Sequence, residues 1–106
     1  MIKLKKLYVL FLIASFLMAG TDGTIRGKVT DINGAPLPGA NIVIPSLGLG
    51  AAADMNGNYF ILNVPVGGYD VVIQMMGYQK QTIKGVHVIM DQTVWLNFKL
   101  PEAVVE

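Results

Sequence analysis

Cysteine is missing from all 106 residues, which excludes disulfides, thiolate metal sites and cysteine nucleophiles together. Histidine occurs once, as His87, so a zinc site of imidazole ligands has no second ligand to draw on. Charge is sparse: 14% of residues are charged and 53% hydrophobic, the balance of a chain that folds rather than stays solvated. A basic stripe is missing too. Three of the eight basic residues, Lys3, Lys5 and Lys6, crowd the N-terminus, and without them five basic residues stand against seven acidic ones. Nucleic acid is therefore not an expected partner. A chain this short holds one domain, and without crosslinks its apolar core must carry the fold.

What is present begins with an address. After the three lysines, Leu7 to Ala19 is apolar apart from Tyr8 and Ser15, and Ala19-Gly20 closes the run before Thr21-Asp22. That charged, apolar, small-residue order is the order of a secretory signal peptide over residues 1–20, cleaved after Ala19 or Gly20. A spanning helix needs about 20 apolar residues, so the run is short for a permanent anchor. No cysteine follows it, which excludes a lipoprotein.

From Thr24 onward the hydrophobic period is two. Ile25, Gly27 and Val29 alternate with Arg26, Lys28 and Thr30; Tyr69, Val71, Ile73 and Met75 alternate with Asp70, Val72 and Gln74. Val94, Leu96, Phe98 and Leu100 alternate with Thr93, Trp95, Asn97 and Lys99. Such alternation marks strands with one buried face. Less regular runs at 40–44, 59–62, 79–83 and 86–90 fill the gaps. Asn33-Gly34 and Asn56-Gly57 suit tight two-residue hairpins with positive φ at both central positions. Gly67-Gly68, Gly77 and Gly85 mark further turns, and no helix-length window between Thr24 and Leu100 shows a 3.6 period. The expectation is an all-β, seven-stranded antiparallel sandwich with Greek-key connections.

Chemistry is hard to assemble from these residues. His87 sits between two valines as an ordinary outward-facing strand residue. Asp54-x-Asn56-x-Asn58 opens like a calcium loop, but such a loop wants glycine at 59 and glutamate at 65, where Tyr59 and Pro65 stand. Ser15, Ser46 and the threonines have no histidine–acid constellation, and Asp22, Asp31, Asp54, Asp70 and Asp91 fall mostly at strand ends and turns. No catalytic, cofactor-binding or metal-binding residue is assigned, and no cofactor is expected. Trp95 is the one candidate contact residue, for a protein partner or a glycan. Its alternative, and the favoured one, is packing beneath a neighbouring loop.

Order and spacing resemble a known family. Gly27-x-Val29-x-Asp31 followed by Gly34-x-Pro36-Leu37-x-Gly39-Ala40-Asn41-Ile42 resembles the opening of the carboxypeptidase regulatory-like domain, akin to transthyretin in fold. Gly50, Asp54, Gly57 and Tyr59 match its next strand, turn and aromatic. Pro65-x-Gly67-x-Tyr69-x-Val71, Gly77-Tyr78 and Leu96-x-Phe98-x-Leu100 resemble its later landmarks, so the likeness covers Thr24 to Leu100. Ala51-Ala52-Ala53, where such sequences often carry threonine, and the Gly67-Gly68 pair depart from it. Tyr69, just after Gly68, is expected to tie its hydroxyl to backbone as a tyrosine corner does.

The resemblance implies a scaffold without the metal-binding half of a carboxypeptidase. Domains similar to this one often follow the signal peptide of TonB-dependent outer-membrane receptors, and Pro101 to Glu106 is similar to the acidic-valine segment that connects them onward. The expected function is a non-catalytic accessory domain facing the periplasm, with an adjoining receptor domain or another protein as partner. Contact with the membrane comes only through the leader or an attached barrel. The alternative is a free-standing exported module that binds glycan or protein.

Overall fold

Period-two alternation becomes two faces in β1 (Asp22–Asp31), where Ile25, Gly27 and Val29 are buried while Arg26 and Lys28 meet solvent. The computed structural model describes residues 22–104; the leader expected over residues 1–20 lies outside them. Seven further strands follow: β2 (Asn41–Ile44), β3 (Leu49–Ala52), β4 (Asn58–Pro65), β5 (Gly67–Gln74), β6 (Gln81–Val88), β7 (Thr93–Trp95) and β8 (Phe98–Leu100). Among the described residues there is no helix.

The strands form two sheets. One runs β4-β1-β7 with β8 also on β1, the other β3-β2-β5-β6. Crossings between them are frequent, and β5 returns beside β2 after β3 and β4, as a Greek key requires. The core lies between the sheets. Ile25, Val29, Ile61, Val64 and Leu100 from the first meet Ile42, Ile44, Val71, Ile73 and Val88 from the second, all at most 3% exposed. Burying each such side chain stabilises the fold by about 1.5–3 kcal/mol, the only large favourable term open to a chain without crosslinks.

The all-β sandwich expected from the sequence is the observed fold, with three local departures. First, it is not wholly antiparallel. The chain enters β7 from the opposite sheet and runs alongside β1 in the same direction, pairing Thr24 with Thr93 and Arg26 with Trp95, then Val29 with Phe98. Second, the strand count is eight. The run from Thr93 to Leu100 breaks at Leu96-Asn97, while the runs at 79–83 and 86–90 are one strand with a bulge. Gly85, expected in a turn, takes φ 69° at that bulge, and its N–H donates to the Asp70 carboxylate at 3.3 Å. β3 escapes the pattern because Gly50, Ala51 and Ala52 are too small to show alternation; its pairing with β2 defines it.

Third, the Asn-Gly pairs do not form two-residue turns. Gly34 has φ 89° and Gly57 φ 80°, but neither Asn33 nor Asn56 takes positive φ. Both loops read Asp-x-Asn-Gly and share one hydrogen-bond pattern. The Asp31 carboxylate accepts N–H bonds from Asn33 at 2.8 Å and Ala35 at 2.9 Å, and Gly34 N–H donates to the Asp31 carbonyl at 3.1 Å. Asp54 repeats this with Asn56, Asn58 and Gly57, each at 2.9 Å. The aspartate selects a type I turn closed by a left-handed glycine, the three-residue hairpin loop, in place of the mirror-image turn.

Candidate functional site

Trp95 ends β7 at an edge of the first sheet, and the residues after it fix where it stands. Leu96 N–H still donates to the Arg26 carbonyl at 2.8 Å, but the Leu96 carbonyl turns inward and accepts the Tyr59 hydroxyl at 2.6 Å. Asn97 then replaces backbone with side chain, its Oδ1 accepting Lys28 N–H at 2.9 Å. The inward carbonyl needs a neighbour without a side chain. A Cβ on Gly27 would lie 1.8 Å from the Leu96 oxygen, so glycine is obligatory at this crossing. Tyr59 is 2% exposed, and its burial pushes the phenol pKa well above the ordinary tyrosine range. Its ring lies against Phe98 at a centroid separation of 6.1 Å.

Beyond this anchor Trp95 is 63% exposed. It does not pack beneath a loop, contrary to the favoured expectation, because its strand position faces outward on the uncovered side of the sheet. The Arg26 guanidinium lies over its ring, 4.6 Å from the centroid. Across the sheet Phe60 pairs with Arg26 in register and is itself 59% exposed. Phe60, Arg26 and Trp95 thus form one row across three strands. Lys28 and Lys99 extend the same face, pairing with Asn58 and Thr30. The outward positions of Thr24–Thr30, Asn58–Leu62 and Thr93–Lys99 hold three cations and no carboxylate; Asp22 and Asp31 stand at the two ends of β1. Sequence reasoning singled out Trp95 but missed Arg26 and Phe60, since only strand register brings 26, 60 and 95 together.

The remaining residues weighed from sequence stay apart. His87 is exposed on β6, outward-facing as the alternation implies. Asp31 and Asp54 serve their own turns, Asp70 the bulge, and Asp91 sits at φ 58° in the turn before β7. Among the described residues no three His, Cys, Asp or Glu side chains are grouped to hold a metal. Tyr69 does reach backbone, at 3.5 Å from the Val66 carbonyl, but Tyr59 makes the shorter, buried version of that contact. Met75 packs on the core while Met76 is 95% exposed; with Tyr78 they line a shallow groove beside β5.

Several solved structures share this architecture. A chain from a type II cohesin–X-dockerin complex of Acetivibrio cellulolyticus, a C-terminal interface mutant, aligns over 72% of this chain and 52% of its own, at 24% identity and a TM-score of 0.61. The Bacillus anthracis TIE protein aligns over 78% of this chain and 17% of its own, at 18% identity and a TM-score of 0.64. A Bacteroides uniformis protein provisionally assigned as carbohydrate binding aligns over 76% and 42%, at 18% identity and a TM-score of 0.59. The chain therefore spans about half or less of each, and the likeness is one of fold. No curated protein matches it. The model of one family does match, over residues 24–101, which takes in both sheets and the row centred on Arg26. With its landmark glycines and aromatics placed at the turns, bulges and crossings just described, the chain belongs to the carboxypeptidase regulatory-like domain family.

Proposed function

We propose that this is a non-catalytic interaction domain of an exported protein, serving as the periplasm-facing N-terminal extension of a TonB-dependent outer-membrane uptake receptor. What carries the reading is an order: residues 1–20 that read as an exported-protein leader, a domain of this family, then a 101–106 segment similar to the acidic-valine connector of such receptors. The exit of the chain supports it. Gln79 N–H donates to the Pro101 carbonyl and Ala103 N–H to the Gly77 carbonyl, each at 2.9 Å, so any following segment starts from a fixed point on the second sheet. The dispersal of aspartates, and a lone exposed histidine, supports a role without catalysis. Gene sequence continuing in frame past Glu106 into a plug and barrel strands is the expected result. A stop codon followed by unrelated sequence rejects the receptor reading.

A second reading, a free-standing module that binds glycan or protein, is favoured by the 63% exposure of Trp95. The fold shared with the Bacteroides uniformis protein also fits it. Binding of a neutral and acidic polysaccharide panel by wild type but not by Trp95→Ala supports this reading; no binding by either removes it.

A further inference from the structure

Exposed aromatic rings and cations lie side by side on one sheet face, and what they suit is decided by shape and charge. Strands are spaced by about 4.8 Å, so the row Phe60–Arg26–Trp95 crosses roughly 10 Å of flat surface. Lys28 lies on the same face about 7 Å further along β1, and Lys99 beyond it. We infer that this face binds a carboxylate-bearing polysaccharide, a polyuronate, laid across the row. The inference rests on reading the domain as an interaction module.

Each part of the ligand has a counterpart. The C–H faces of sugar rings are apolar and stack on exposed aromatic rings, which Trp95 and Phe60 offer at the two ends of the row. Arg26 lies over the Trp95 ring, 4.6 Å from its centroid, and guanidinium N–H donors form the planar fork that matches a carboxylate. Lys28 and Lys99 supply further positive charge for successive carboxylates, with no acidic side chain between Thr24 and Thr30 to repel them. Threonine and asparagine at outward positions such as Thr24, Asn58 and Asn97 suit sugar hydroxyls. Other polyanions fit less well. An acidic peptide joining a sheet pairs with an edge, not a face. A membrane surface wants an apolar face, and here polar residues are interleaved with the rings. A nucleic acid strand wants a basic groove tracking its backbone.

Trp95 is the only tryptophan in the chain, so its fluorescence reports on the site directly. Full-length protein titrated with polygalacturonate is expected to shift its emission, with affinity falling as salt rises. Arg26→Gln and Phe60→Ala are each expected to raise Kd roughly tenfold or more, the loss typical of a truncated anchor. Arg26→Lys should fall between wild type and Arg26→Gln, and Lys84→Gln, on the other sheet, should change nothing. Circular dichroism of each variant checks that the sandwich persists. The inference is overturned by equal affinity for the fully methyl-esterified polymer, by tighter binding of a single-stranded oligonucleotide or of anionic vesicles, or by the absence of any response. An unchanged Kd in a folded Arg26→Gln variant overturns it as well. Gene continuity past Glu106 decides the receptor reading independently, so the two fail separately.

Discussion

Tyr59 carries a hydroxyl into the core and meets the one carbonyl turned to receive it. The bond from Tyr59 to Leu96 at 2.6 Å satisfies both groups, so Tyr59→Phe leaves a carbonyl without its partner and should cost about 1–2 kcal/mol in urea unfolding. The raised phenol pKa adds a pH signature. Below the ordinary tyrosine value of 10.0 the phenol is protonated in both states and contributes no slope. Above it the unfolded chain loses the proton while the folded chain keeps it, so stability falls by up to about 1.4 kcal/mol per pH unit. The urea midpoint should therefore drop between about pH 9 and about pH 11 in wild type and drop less in Tyr59→Phe; equal slopes would show that Tyr59 does not couple ionisation to folding. Gly27, the cross-strand partner of Tyr59, faces the same Leu96 carbonyl. Gly27→Ala places Cβ against backbone that cannot swing away and should cost about 3 kcal/mol or more. Because that shift also displaces the acceptor of Tyr59, the double variant should lose less than the two single losses together, a non-additivity read from a double-mutant cycle.

At the scale of elements, the two Asp-x-Asn-Gly hairpins form an internal comparison. Their local hydrogen bonds match, and both glycines are left-handed, so alanine at either costs about 1–2 kcal/mol from backbone strain alone. Their surroundings differ. Open space surrounds the Cβ position at Gly34, whereas at Gly57 the Val29 carbonyl lies 2.5 Å away and Pro36 Cβ 3.1 Å. Gly57→Ala should therefore destabilise clearly more than Gly34→Ala in parallel urea titrations; equal losses would mean that the strand crossing gives way. The positions of both turns were legible as Asn-Gly pairs. Their type was not, because it follows from the aspartate that starts each loop and accepts two amides. The short β3 was legible only through the family resemblance at Gly50 and Asp54, since a run of glycine and alanine carries no alternation and becomes a strand by pairing with β2.

At the scale of the whole molecule, the residues after β8 tie the first sheet to the loop between β5 and β6 of the second. Ending the chain at Leu100 removes the Gln79–Pro101 and Gly77–Ala103 bonds and should cost about 1–3 kcal/mol, with the Gln79 amide losing protection in hydrogen exchange. Ending it after Ala103 should keep both. The order of residues alone determined an all-β chain, its buried faces and its family landmarks, because period-two alternation and turn-forming glycines are local properties of a strand-forming chain. Only the tertiary structure decided that the last strands run parallel to β1, that their chain breaks to offer Leu96 to Tyr59, and that Trp95 stands in the open beside Arg26 and Phe60. Those outcomes depend on which strands become neighbours and in what register. Register joins residues up to 69 positions apart, as in the Arg26–Trp95 pair, and no local pattern encodes that distance.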